Sequence, residues 1–213
     1  MRALTAADRA IRQDFLADQA LRAFEEVGYP KLTIAELAKR AGVSKGSVFL
    51  AFGSKEELSL HAFGRSFKSW IVRVKPLGNH PATPRELAVG ILDTLRADPV
   101  LLPLMARVSP ILEQTCSTES VLRLKQSMAD ALQDLVLAWH PNWPHVAQEA
   151  WWPLLMRVHA SIVGAWVVSD PPETLQKALE QHPELGVFIN RFDDLMLPMV
   201  EAQLEAVLQA LPR

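Results

Sequence analysis

The sequence predicts an all-α protein, on three observations. Apolar blocks are repeatedly preceded by a Ser or Thr standing three residues ahead of an acidic residue, as at Thr5 and Asp8, Thr33 and Glu36, Ser54 and Glu57, and Thr83 and Glu86. Each such pair is a helix-start signature, because the two side chains satisfy backbone N–H groups left over at a helix end. Behind these starts the apolar residues recur at spacings of three and four, and strand-like alternation is almost absent. Glycine and proline then punctuate the blocks, at Gly28, Gly42, Pro76 and Pro141.

Taken in order, Thr5 and Asp8 open a helix in which Ile11, Phe15, Leu16, Ala20, Leu21, Phe24 and Val27 keep helical spacing until Gly28. Thr33 and Glu36 predict a second start at Ile34, with Leu37, Ala38 and Ala41 on the apolar face and Lys39 and Arg40 towards water. Gly42 predicts a left-handed stop that a side chain would resist. Val43 then folds back beneath the turn, and Ser44 caps a short third helix from Lys45 to Phe52. Two short helices bent around Ala-Gly-Val-Ser have the form of a helix-turn-helix, whose second helix enters a DNA major groove; Lys45, Gly46 and Ser47 are small or polar enough for that approach. Ser54 and Glu57 open a long helix through Leu58, Phe63, Phe67, Trp70 and Val74, broken at 76–81. Lys55 falls in its first turn, where the helix dipole disfavours a cation and favours an anion, so Lys55 is expected to hold a DNA phosphate together with the N–H groups of that turn.

Beyond the break, Thr83-Pro84-Arg85-Glu86 joins a capping box to proline at the first helical position, followed by Leu87, Ile91, Leu92 and Leu95. Asp98-Pro99 predicts the start of a short helix through Leu101, Leu104, Met105 and Val108. A polar stretch from Cys116 to Ser120 precedes a helix carrying Val121, Leu124, Met128, Leu132, Leu135 and Val136, which ends near Trp139. Two long helical segments are expected in the last third, over 144–168 and 183–211, with an extra helix over 173–181 between them. Pro153 and Pro198 should bend or offset the long pair. The first is apolar almost all round in its second half, and such a helix needs partners on both sides.

The 213 residues, 49% hydrophobic and 22% charged, suffice for a sizeable core and exceed the usual size of a lone DNA-binding domain. The net charge of -2 divides unevenly: residues 1–75 carry 13 Lys+Arg against 8 Asp+Glu, and the remainder 9 against 16. A basic head attracts phosphates while an acidic body is repelled by them, which orients an encounter with DNA. One cysteine, Cys116, makes no intrachain disulfide and fits a reducing, cytoplasmic setting. Residues 1–20 lack the apolar core of a signal peptide, and no run reaches the roughly 18 apolar residues of a membrane span. A membrane partner is therefore not expected.

From Gly28-Tyr29 to Leu58, with Ala-Gly-Val-Ser-Lys-Gly in the turn and Phe-Gly-Ser-Lys-Glu-Glu-Leu after it, the chain resembles the N-terminal domain of the TetR family of bacterial transcriptional regulators. The resemblance implies an N-terminal three-helix helix-turn-helix DNA-binding domain over 1–53, a connecting helix over 54–75, and a C-terminal helical ligand-binding and dimerisation domain over 76–213. It implies DNA contacts at Thr33, Ser44, Ser47, Phe49 and Lys55, to which Lys45, Gly46 and Leu50 are added from their place on the reading helix. Phe49 stands where the family usually has a tyrosine whose hydroxyl meets a phosphate, and Leu50 and Ala51 stand where it usually has Tyr or His. The partners implied are a palindromic double-stranded operator, a second copy of the chain and a small-molecule effector.

Five of six tryptophans lie between residues 139 and 166, with methionines in neighbouring helices, a composition suited to an apolar pocket. Candidate ligand residues are Met105, Arg107, Met128, Trp139, Trp152, Met156, His159 and Trp166. The family's last two long helices form its dimer interface, which suggests Ile162, Val163, Trp166, Leu195, Met199 and Leu204 for that role. His140, His145 and His159 have no carboxylate or cysteine pattern beside them, so no metal and no cofactor are expected. An enzyme is disfavoured, since there is no Gly-rich phosphate loop, no nucleophile elbow and no paired carboxylate beside a titratable base. The remaining alternative is a DNA-bound regulator without a ligand, acting as an activator or through protein partners.

Overall fold

The computed structural model describes residues 5–80 and 82–209, and these form helices and turns without any strand. The helices are α1 (Ala6–Val27), α2 (Ile34–Arg40), α3 (Lys45–Phe52), α4 (Lys55–Val74), α5 (Pro84–Arg96), α6 (Leu101–Arg107), α7 (Glu113–Thr115), α8 (Thr118–Trp139), α9 (Gln148–Ser169), α10 (Glu173–Gln181) and α11 (Phe192–Leu208). The expected all-α class is what the chain adopts.

Of the four expected capping boxes, Thr5 with Asp8 and Thr83 with Glu86 close in both directions. The other two close by half. Thr33 accepts the Glu36 N–H at 3.2 Å, but the Glu36 carboxylate turns to Arg40 at 3.0 Å. Ser54 accepts the Glu57 N–H at 3.0 Å, while the Glu57 carboxylate accepts the Ser117 N–H at 2.7 Å. In both cases a charged or long-range partner outcompetes the local cap.

The last third departs from expectation. In place of one helix over 183–211, a 3-10 turn (Pro183–Phe188) and an irregular link precede α11. Asn190 donates its side-chain amide to the Phe188 carbonyl at 3.2 Å, a local bond that competes with helix propagation. The expected end at residue 211 lies outside the described residues. The segment expected from 144 begins as helix only at Gln148, and a π-helical turn (Val108–Leu112) follows α6. Pro110 sits in that turn, where its missing N–H cannot bond the carbonyl four residues back.

The chain forms two compact units, one of residues 1–70 with 99–131, the other of residues 71–98 with 132–213. Compactness thus groups 99–131 with the N-terminal helices, whereas the sequence reading groups them with the C-terminal half. In the first unit, Leu16, Ala17, Ala20 and Phe24 of α1, Leu37 of α2, Val48 of α3 and Leu58, Phe63 and Phe67 of α4 are buried. In the second, α11 packs on α9 and α5, burying Val158, Ile162 and Ala165 with Met196, Val200 and Leu204 and with Leu87, Ile91 and Leu95. Trp139, Trp143 and Trp151 form a cluster in that unit with ring centroids 6.1 to 6.5 Å apart. The Trp139 indole N–H donates to the Lys75 carbonyl at 3.0 Å and lies so close to Gly78 that a Cβ there would sit 2.4 Å from the ring.

Candidate DNA interface and effector region

The turn between α2 and α3 is built by backbone bonds that only one conformation of Gly42 allows. With φ at +66°, Gly42 donates to the Lys39 carbonyl at 3.2 Å and Val43 donates to the Ala38 carbonyl at 2.9 Å. This pair of bonds satisfies two end carbonyls of α2 and turns the chain into α3. Ser44 then accepts the Ser47 N–H at 3.1 Å, and the two serine hydroxyls lie 3.0 Å apart. Val48 is fully buried and anchors α3 to the core.

What remains outward is a face made of residues predicted for DNA. Thr33, Ser44, Lys45 and Gly46 are exposed, Ser47 is half-buried, and Phe49 and Leu50 project to solvent. The far end of α3 is fixed by a contact that local spacing does not reveal: the Gln13 side-chain amide donates to the Ala51 carbonyl at 2.7 Å.

Lys55 has an intramolecular partner. Its ammonium donates to the Tyr29 carbonyl at 2.6 Å and stands 4.3 Å from the centroid of the Tyr29 ring. The Arg107 guanidinium lies 5.4 Å from the same centroid. Lys55 therefore needs no bound anion to offset the helix dipole at this helix start, because Tyr29 supplies both an acceptor and a π-face. Burial pulls the Lys55 pKa down, helped by Arg107 and opposed by Glu56. Burial likewise pushes the Tyr29 phenol up, with Glu56 adding to the rise.

The candidate ligand residues are distributed over both units. In the first, Met105 is buried, Met128 is half-buried, and Arg107 also donates to the Pro103 carbonyl at 2.5 Å. In the second, Trp139 is buried in the tryptophan cluster, Trp152 and Met156 are exposed, His159 is half-buried, and Trp166 stacks edge-on to Phe192 at 5.8 Å. Among the candidate dimer residues, Ile162 and Leu204 are buried within the chain, Val163, Trp166 and Leu195 are half-buried, and Met199 is exposed.

A cavity of about 600 Å³ lies within the first unit, between α1, α4 and α8. Its walls include Asp14, Glu57, His61, Arg65 and Arg123 and none of the candidate ligand residues. Arg65 pairs there with Asp14 at 2.9 Å and with Asp18 at 2.9 Å.

His140 accepts the Trp151 indole N–H at 3.3 Å, and His145 donates through Nε2 to the Leu208 carbonyl at 2.8 Å. Among the described residues, no three His, Cys, Asp or Glu side chains converge as metal ligands would. No helix among them is long and apolar enough to cross a membrane.

Residues 16–62 match the family described as bacterial regulatory proteins, tetR family, and residues 65–208 match the tetracyclin repressor-like, C-terminal domain. Over 71 residues, 33% of the chain, there is 30% identity to the fatty acid metabolism regulator protein of Bacillus subtilis (strain 168). Over 85 residues, 38% of the chain, there is 30% identity to an uncharacterized HTH-type transcriptional regulator of the same organism. These matches span only 37% and 29% of the two relatives. Among solved structures, the fatty acid degradation regulator FadR from Bacillus halodurans aligns with a TM-score of 0.53 and 16% identity, covering 93% of this chain and 98% of that one. A protein of Mesorhizobium loti MAFF303099 described as a tetR-family transcriptional regulator aligns with a TM-score of 0.52 and 18% identity, covering 93% of this chain and 97% of that one. Such identities speak to the fold alone. With a helix-turn-helix at one end and the two domain matches spread along its length, the chain belongs to the TetR family of DNA-binding transcriptional regulators.

Proposed function

We propose that this regulator is a repressor that binds a palindromic operator as a homodimer and is released by a small apolar or aromatic effector. The observation that carries the DNA half is the outward face of α3, held by the Gly42 turn and the buried Val48. In this reading Thr33, Ser44, Lys45, Gly46, Ser47, Phe49, Leu50 and Lys55 form the DNA contacts. Two copies of α3 related by a two-fold axis would meet successive major grooves about 34 to 36 Å apart.

The dimer half is supported by exposed apolar residues on α9 and α11, namely Trp152, Met156, Val167, Val168 and Met199. The half-buried Val163, Trp166 and Leu195 lie on the same two helices. The effector half rests on the family, and the likeness to a fatty acid metabolism regulator makes fatty acids the first class to try. An effector acts as a switch only through a difference in affinity, and a coupling of roughly 1 to 3 kcal/mol changes operator affinity about 5- to 150-fold.

One observation favours the reading without an effector: Trp139 and Met105 fill core space, and the 600 Å³ cavity is walled largely by charged and polar groups. Footprinting on DNA selected from a random pool, with and without fatty acids, tests both halves. A two-fold symmetric footprint that fades with added ligand supports the repressor. A footprint indifferent to every compound, in a protein whose melting temperature none of them raises, supports the ligand-free regulator. Sedimentation as a monomer at micromolar concentration would overturn the homodimer.

A further inference from the structure

The outward face of α3 is apolar at its centre. Phe49 is 50% exposed and Leu50 is 77% exposed, whereas Val48 beside them is 0% exposed. Neither exposed side chain has a polar atom, so neither can hydrogen-bond a base edge or a phosphate. Their surroundings are Ser44, Lys45 and Gly46, all exposed, and residues 1–75 carry a surplus of positive charge. That setting is complementary to DNA and not to an apolar protein surface, which would need a wider contiguous patch than two side chains. In the major groove only one base carries an apolar group, the C5 methyl of thymine.

We propose that Phe49 and Leu50 read thymine methyl groups, so that each operator half-site carries thymine at the positions facing them. The inference rests on α3 being the DNA-reading helix. It assigns two residues that lack any donor or acceptor a direct part in specificity. Ser44, Lys45 and Ser47 supply the polar and charged contacts around them. Removing one contacted methyl should weaken binding about fourfold, the worth of one buried carbon group.

The test uses the full chain and an operator selected from random DNA, resynthesised with deoxyuridine in place of thymidine one position at a time. This exchange deletes the methyl and leaves the pairing edge intact. Binding measured by fluorescence anisotropy at fixed salt should fall about fourfold at one or two positions in each half-site. At those positions, Leu50→Ala or Phe49→Ala should bring the thymidine-to-deoxyuridine ratio close to one while leaving the salt dependence unchanged. Leu50 is mostly in solvent, so its truncation should leave the melting temperature in place. Equal affinity for both DNAs at every position overturns the proposal, as does a ratio that persists in both variants. A pool from which no sequence is enriched overturns the reading of α3 itself, and the two failures are thereby distinguished.

Discussion

The Lys55 ammonium is held twice by one residue, through the Tyr29 carbonyl oxygen at 2.6 Å and the Tyr29 ring at 4.3 Å. Gly28, at φ +76°, ends α1 immediately before Tyr29 and so places that carbonyl where α4 begins. A lysine that is costly at a helix start thereby ties α1 to α4.

Lys55→Ala should lower stability by about 1 kcal/mol, from loss of the ring contact and the hydrogen bond. If Lys55 also serves a phosphate, the salt dependence of DNA binding should flatten by about one unit of slope. Urea unfolding reads the first effect and anisotropy titrations at several salt concentrations read the second. A lower stability with an unchanged slope confines Lys55 to its Tyr29 role.

Gly78→Ala should be among the most damaging small substitutions. Its Cβ would sit 2.4 Å from the Trp139 ring, and the indole can retreat only by giving up its bond to the Lys75 carbonyl. Overpacking of this kind costs about 1 to 3 kcal/mol, and the lost hydrogen bond adds about 1 kcal/mol. A denaturant midpoint equal to that of the parent chain would contradict the contact.

Glu57 makes stability depend on acid. Burial pushes its carboxyl up, but the Ser117 N–H, the Ser120 and Ser117 hydroxyls and Arg123 outweigh this and hold it below the ordinary value of 4.5. The folded value is the lower one, so the stabilisation is fully present above 4.5 and is lost as pH falls through the folded value. Because Glu57 is partly solvated and its interactions are screened, Glu57→Gln should cost only a few tenths of a kcal/mol at neutral pH and progressively less below 4.5. Melting curves of both proteins across that range give the comparison, and a constant gap would mean that the charge is irrelevant.

Cys116 should be a slow thiol. Burial, with Glu57 and Glu56 nearby, pushes it up to about 11, so only about one molecule in ten thousand carries the thiolate at pH 7. Alkylation followed by mass spectrometry should accelerate about tenfold per pH unit between about pH 7 and 10. Rapid modification at neutral pH would show that the thiol is not held as described.

Features whose partners are three or four residues apart were legible in the sequence. The caps at Thr5 and Thr83 and the Gly42 turn follow from such spacing, and so does most of the helix order. The link before α11 was hidden because Phe188, Ile189 and Phe192 keep an apolar rhythm across a break that Asn190 helps to impose. Tyr29, Gln13 and Arg107 were missed as structural partners because Lys55, Ala51 and Tyr29 are 26, 38 and 78 residues away from them. Apolarity alone also does not say whether a side chain lines a space or fills it, and Trp139 fills it.

The uneven placement of the tryptophans gives the protein a built-in optical reporter. Trp139, Trp143, Trp151, Trp152 and Trp166 belong to the second unit, while the first holds Trp70 and the chain's one tyrosine, Tyr29. Intrinsic emission during unfolding will therefore describe mainly the second unit, and loss of the DNA-reading helices can pass almost unseen in it. Calorimetry or far-ultraviolet dichroism, which count every helix alike, would reveal a first unit that melts on its own.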